Sequence, residues 1–100
     1  MLDKDAVREV AARYAAEVRK VLSPGAILLF GSHASGAATE HSDIDVAIIC
    51  DGFDGDWYAT TIELARLARE FSFDIEPHLL DGERDGTGFV EHILRTGVRI

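Results

Sequence analysis

Residues 28–49 have the sequence LLFGSHASGAATEHSDIDVAII, which predicts a strand, a glycine-marked turn and a second strand. The apolar run ends at Gly31 and Ser32, and strand-forming residues resume at Ile44. Small and polar residues typical of a connection lie between the two runs. We therefore expect two sequential strands with the glycine–serine turn at the end of the first.

Asp43 and Asp45 stand at the start of the second predicted strand, where alternation places both side chains on one face. Residues at this spacing are roughly 6 to 7 Å apart along a strand. Their carboxylates can converge on one divalent ion, or on two ions roughly 3.5 to 4 Å apart. An isolated DxD is commonly only a turn followed by an edge strand. The Gly31-Ser32 turn favours a functional site, because it can offer backbone N–H groups and a hydroxyl to phosphate.

Other phosphate-binding and ion-binding motifs fit the chain less well. Ala37 and Ala38 stand where a P-loop requires lysine followed by serine or threonine. The chain contains no GxGxxG, and the apolar residues after Asp45 exclude an EF-hand loop. The DxD pair together with the glycine–serine turn favours a carboxylate-held metal next to a phosphate.

Residues 31–48, GSHASGAATEHSDIDVAI, resemble the signature of the DNA-polymerase-β-like nucleotidyltransferase superfamily. At this chain length the resemblance is greatest to the minimal nucleotidyltransferases, the MNT group. It implies that Gly31, Ser32 and Ser42 bind the nucleotide, and that Asp43 and Asp45 bind Mg²⁺. One departure is Ser35, which stands where many relatives carry arginine or lysine.

Residues 72–80, SFDIEPHLL, contain two further carboxylates. Apolar and polar side chains alternate along this segment, which predicts a strand. The resemblance implies a third acidic residue on a neighbouring strand, which serves as metal ligand and base. Asp74 and Glu76 are both candidates on one face, and Asp74 is preferred both as a catalytic residue and as a metal ligand. His78 shares that face and is expected to be an exposed histidine. Pro77 lacks an N–H, which predicts an edge strand.

The remaining elements complete an α/β (α+β) domain. Helices are predicted over 3–22 with Asp3 as N-cap, over 57–71, and over a short segment that ends at Gly97; further strands are predicted over 26–30 and 98–100. This order predicts a single domain over residues 1–100 with the two-layer nucleotidyltransferase fold, a mixed β-sheet with helices packed on one face. The carboxylates are expected on the open face.

Composition limits the function classes. The net charge of −8 argues against binding to a nucleic-acid backbone, although a metal-bound nucleotide remains compatible. No apolar run is long enough for a membrane span. The charged N-terminus resembles no signal peptide, and a single cysteine suits a reducing cytoplasm.

The sequence thus predicts an Mg²⁺-dependent enzyme that transfers a nucleoside monophosphate from an NTP to a hydroxyl. The MNT resemblance implies ATP as donor and a partner protein with a helical HEPN domain as acceptor, in a toxin–antitoxin pair. Two alternatives stay open. The domain could neutralise such a partner by contact alone, or it could be a subunit, as in a homodimer, that modifies a small molecule.

Overall fold

A computed structural model of the chain describes residues 3–39 and 41–100. Helix α1, Lys4–Val21, begins at the N-cap Asp3, whose side chain accepts a hydrogen bond from the Asp5 amide at 2.9 Å. The apolar side chains that recur along one face of α1 are buried. The predicted first helix and its aspartate cap are confirmed.

The described residues contain four strands, which are β1 Ala26–Phe30, β2 Ile44–Cys50, β3 Ile75–Asp81 and β4 Val98–Arg99. They form a sheet of order β3-β2-β1-β4. Strand β1 is antiparallel to both β2 and β4, whereas β2 and β3 are parallel. The mixed sheet confirms the predicted α/β fold class.

The remaining helical segments are α2 Ser32–Ser35, α3 Trp57–Arg69, a 3₁₀ turn at Gly82–Arg84 and α4 Phe89–Thr96. Helix α3 connects the parallel strands β2 and β3, and Asp56 caps it by accepting from the Ala59 amide at 2.9 Å. Helix α2 and the 3₁₀ turn are absent from the sequence prediction, because a single turn is too short to show periodicity. Within the described ranges, every helix is too short or too polar to cross a membrane.

Helices α1 and α3 cover one face of the sheet. Alternate residues of the strands point to this face and are buried together with the apolar faces of the two helices; the largest are Tyr14, Ile27, Leu29, Ile44, Ile48, Leu64 and Ile75. The Tyr14 hydroxyl donates to the Leu64 carbonyl at 2.8 Å, so α1 is also hydrogen-bonded to α3.

The opposite face has its own apolar cluster, in which Leu28, Ala47 and Ile49 pack against Val90 and Ile93 of α4. The predicted placement of helices on one face therefore holds for α1 and α3 but has to be corrected for α4. The reason is that the central strands β1 and β2 carry apolar side chains on both faces, and exposing the second set to water would be unfavourable.

Strand β3 lies at an edge of the sheet, as the presence of Pro77 predicts. The guanidinium of Arg69, at the end of α3, donates to the carbonyl groups of Phe73 and Ile75. These contacts cover the start of the edge strand and attach it to α3.

Candidate functional site

Asp45 lies within a row of side chains near one end of the sheet. Phe30 of β1 is opposite Asp45 of β2, and Asp45 is opposite Glu76 of β3. His78 shares the face of Glu76, because it is two residues further along the same strand. One ligand atom from each of Asp45, Glu76 and His78 lies within 4.8 Å of the other two. The two strands thus form a compact group of two carboxylates and an imidazole.

His78 is partly buried and bonded, which corrects the expectation of an exposed histidine. Its Nε2 atom is 3.1 Å from Asp45 Oδ1, and its side chain is 32% exposed. The ring contacts Phe30 edge-on, with centroids 5.0 Å apart. Alternation along β3 indicated that His78 shares a face with Glu76, but only the pairing of β2 with β3 brings it to Asp45.

Asp43 and Asp74 lie just before β2 and β3, respectively, and both are exposed. The Asp74 carbonyl accepts a hydrogen bond from the Ile44 amide at 2.7 Å, which starts the parallel ladder. The register pairs Ile44 with Ile75, so Glu76 is the carboxylate opposite Asp45. The structure thus places Glu76, and not the preferred Asp74, in the compact group.

The glycine–serine turn lies on the other side of Asp45, between β1 and α2. Gly31 has φ 74° and ψ −147°, a conformation that is open essentially only to glycine. A Cβ atom at this position would be 2.7 Å from Asp45 Oδ2. The glycine therefore allows the backbone of the turn to approach the carboxylate closely.

Ser42 stabilises the chain segment that leads into Asp43. Its hydroxyl oxygen accepts from the Thr39 amide at 2.9 Å, and its carbonyl is 3.4 Å from His33 Nε2 on α2. The predicted nucleotide-binding residue thus has a structural role in the connection between α2 and β2.

A cavity of about 600 Å³ lies between α3 and the start of the edge strand β3, and Glu76 is one of its lining residues. Its lining carries both signs of charge, because Asp43, Asp74 and Glu76 are joined by two arginines of α3, Arg66 and Arg69. Ile62 of α3 and Phe73 contribute apolar surface to the same cavity. The site therefore has space for a molecule beside the carboxylates.

The donor set fits a divalent cation. Carboxylate oxygens from two adjacent strands face each other, and unpaired anionic groups at this separation would repel one another. Mg²⁺ in proteins is bound by carboxylate oxygens of this kind. Asp45 and Glu76 are the residues that could hold such an ion, with Asp43 close by at the start of β2.

A family model described as "Polymerase beta, Nucleotidyltransferase" matches residues 14–100 of the chain. The matched segment includes the glycine–serine turn and all the candidate carboxylates. Among curated proteins, none matches the chain.

Solved structures similar to this one include a protein of the nucleotidyltransferase type from Sulfolobus solfataricus, with a TM-score of 0.68. The two chains are 18% identical, and the alignment covers 96% of this chain and 80% of the other. At 18% identity, this similarity shows a shared fold only.

Two further structures are toxin–antitoxin complexes. One was crystallised with AMP-PNP; its matching chain is 25% identical at a TM-score of 0.62, with 98% of this chain and 72% of that chain covered. The other is a mutant of the toxin–antitoxin MntA-HpeT. Its matching chain is 26% identical at a TM-score of 0.59, and the alignment covers 100% of this chain and 72% of that chain.

Proposed function

Because the chain belongs to the polymerase-β nucleotidyltransferase family, we propose that it transfers AMP from ATP to a hydroxyl group of a partner protein. The observation that carries the proposal is the arrangement of Asp45 and Glu76, which face each other across β2 and β3 while Gly31 adjoins Asp45 from β1. This order of strands supports a phosphate side at the turn and an acceptor side at β3. In-line displacement at a phosphorus atom needs the entering and leaving groups on opposite sides.

The phosphate side is the turn between β1 and α2. The Ala34 and Ser35 amides donate to the Gly31 carbonyl. The amides of Ser32 and His33, which precede them at the start of α2, are the ones that can donate to phosphate oxygens. A hollow of about 360 Å³ beside the turn, lined by Gly31, Ser35 and residues of α4, offers space for the triphosphate. We assign Gly31 and Ser32 to the β- and γ-phosphates, and Ser42 to the support of the connection between α2 and β2.

Asp45, with Asp43 and Glu76, would hold Mg²⁺ against the triphosphate. Bound divalent ions would neutralise the developing charge on the pyrophosphate and lower the pKa of the acceptor hydroxyl. Asp45 would hold the metal ion between the phosphate side and the acceptor side, since Asp45 is flanked by the turn and by Glu76.

The acceptor side is the cavity along β3. The acceptor oxygen forms a bond to the α-phosphorus, the bond from that phosphorus to the bridging oxygen breaks, and pyrophosphate leaves. Glu76 would take the proton of the hydroxyl, since it lies both at the cavity and opposite Asp45. Asp74 lines the same cavity and is the alternative base. The apolar surface of Ile62 and Phe73 suits an aromatic hydroxyl such as tyrosine.

The toxin–antitoxin complexes among the similar structures support a protein acceptor, and the one with AMP-PNP supports an adenine nucleotide as donor. We propose that this chain is the antitoxin of such a pair, and that its partner is a helical HEPN-domain protein. Large apolar side chains that are exposed in the isolated chain, such as Tyr58 at 75% and Phe73 at 82%, are compatible with an interaction surface.

The test is transfer of label from α-labelled ATP in the presence of Mg²⁺ to a co-expressed HEPN-domain protein. Wild-type protein should label this partner, and Asp45→Asn should reduce the rate by about 100-fold or more, because it removes a charge at the reacting phosphate. Asp54→Asn changes an exposed aspartate in the loop after β2 and is the matched control. It should retain wild-type activity.

Absence of label from the partner with the wild-type protein, combined with neutralisation of the partner by Asp45→Asn, would support inhibition by contact alone. Pyrophosphate release with a hydroxyl-bearing metabolite instead of the partner would identify a small-molecule acceptor. Either result would overturn the proposal of a protein acceptor.

A further inference from the structure

His78 offers a nitrogen ligand at a site whose other ligands are oxygen atoms. Its Nε2 atom faces Asp45 Oδ1 at 3.1 Å, on the same face of β3 as Glu76. Nε2 donates to Asp45 when it carries the ring proton, whereas in the tautomer protonated on Nδ1 it has a free lone pair that can bind a cation. The imidazole is therefore placed where it can bind the same ion as the two carboxylates.

Packing holds the ring in this position. Phe30 contacts the imidazole edge-on at 5.0 Å, and Phe89 of α4 contacts Phe30 in the same manner at 5.8 Å. Ala47 is opposite His78 on β2, and its small side chain leaves room for the ring. His78 remains about one third exposed, so an ion can reach it from solvent.

The ligand types have a consequence for metal choice. Mg²⁺ prefers oxygen ligands and keeps several water molecules, whereas imidazole binds first-row transition metals such as Co²⁺ and Zn²⁺ well. Asp45, Glu76 and His78 offer one nitrogen and two carboxylates, with ligand atoms within 4.8 Å of one another. Such a set favours a transition-metal ion over Mg²⁺.

We infer that His78 is a direct ligand that gives this site a preference for a first-row transition-metal ion over Mg²⁺. The inference rests on the proposed function, because it concerns the same metal site. It adds that the natural ion need not be Mg²⁺ and that β3 contributes two ligands, Glu76 and His78, to the ion that Asp45 holds.

The test is metal binding without nucleotide or acceptor, so that its result does not depend on transfer activity. Co²⁺ is titrated into the wild-type protein and followed by visible absorption, and Mg²⁺ is then added as competitor. We expect the wild type to bind Co²⁺ more tightly than Mg²⁺. His78→Gln should weaken Co²⁺ binding by about tenfold or more while changing Mg²⁺ binding far less.

The choice of glutamine separates ligation from positioning. Glutamine can still donate a hydrogen bond to Asp45, so unchanged Co²⁺ binding in His78→Gln would contradict the inference. An equal loss of affinity for both ions would also contradict it, since His78 would then act through Asp45 or the fold. Asp54→Asn removes an exposed carboxylate of the loop after β2 and should bind both ions as the wild type does.

A second measurement needs no variant of the site and covers the case in which His78→Gln does not fold. Zn²⁺ is added to ¹⁵N-labelled wild-type protein, and the ring nitrogens of the four histidines are followed by NMR. Ligation should shift Nε2 of His78 to the position of a metal-bound nitrogen. An unshifted His78 at saturating Zn²⁺ would overturn the inference and would leave transfer with Mg²⁺ intact.

Discussion

Gly31 is the residue at which the glycine–serine turn comes closest to the Asp45 carboxylate. Its positive φ angle is one reason for glycine at this position. A second, independent reason is that a Cβ atom there would lie only 2.7 Å from Asp45 Oδ2. The first reason concerns backbone strain and the second concerns the position of a candidate metal ligand, so the two effects can be separated by experiment.

Gly31→Ala should lower the free energy of unfolding by about 1–3 kcal/mol through backbone strain. It should also weaken metal-dependent nucleotide binding by about tenfold or more, because the added methyl group displaces the Asp45 carboxylate. Urea unfolding and titration with a nucleotide analogue measure the two effects.

Gly36→Ala is the matched control for this prediction. Gly36 also has a positive φ, of 84°, but a Cβ atom there would have no neighbour within 4 Å. The variant should therefore lose about 1 kcal/mol of stability and keep the wild-type nucleotide affinity. Equal nucleotide affinities in the two alanine variants would refute the role of Gly31 next to Asp45.

At this scale, residue types were easier to predict than residue pairs. Alternation was sufficient to put Asp74, Glu76 and His78 on one face of a strand. The selection of Glu76 as the residue opposite Asp45 depends on the register of β2 against β3, which no periodicity within either strand reveals. The roles of these carboxylates in catalysis stay a proposal.

At the scale of elements, Asp81 connects the segments that follow β2 and β3. It is the last residue of β3 and is 7% exposed. Its Oδ1 atom accepts from the amides of Gly52 and Glu83, both at 2.9 Å. The hydrogen bonds from Gly52 and then Glu83 hold the pKa of the Asp81 carboxyl below its usual range.

Because the pKa of Asp81 is lowered in the folded protein, Asp81 should contribute to the loss of stability at low pH. A carboxyl group whose pKa is lower in the folded state stabilises the fold above its ordinary pKa of 3.8, and this stabilisation is lost as the pH falls through the folded pKa. Asp81→Asn should therefore be less stable than the wild type at pH 7, and its stability should fall less steeply below about pH 4.

Thermal unfolding at a series of pH values measures this difference. Asp54→Asn, which removes an exposed loop carboxylate, should keep the wild-type stability at neutral pH. If Asp81→Asn and the wild type lost stability in parallel on acidification, the assignment of this acid sensitivity to Asp81 would be incorrect.

Long periodic elements were predictable, whereas short ones and their packing partners were not. Helices α1 and α3 each have an apolar stripe and an aspartate N-cap, Asp3 and Asp56. The two helices were predicted over 3–22 and 57–71, which is close to their observed bounds. Helix α2 has only four residues. The amphipathic pattern of α4 was visible in the sequence, but a stripe does not indicate which face of a sheet it will cover.

At the scale of the whole molecule, the sheet has two different surfaces. One is buried under α1 and α3, and the other is covered by α4 over part of its area while the row of Phe30, Asp45 and Glu76 lies near one end. The order of elements along the chain was sufficient to predict the mixed sheet. The division of the second surface into an apolar part and an acidic part required the structure, because it depends on strand register and on the path of α4.

The central claim is that Asp45, Glu76 and the glycine–serine turn together bind a metal-bound nucleoside triphosphate. Calorimetric titration of the chain with a non-hydrolysable ATP analogue, with and without Mg²⁺ or Co²⁺, tests this directly. We predict saturable binding with Kd between about 1 μM and 1 mM that requires the metal ion and is lost in Asp45→Asn but kept in Asp54→Asn. Binding that is absent with either metal, or that persists unchanged in Asp45→Asn, would contradict the claim.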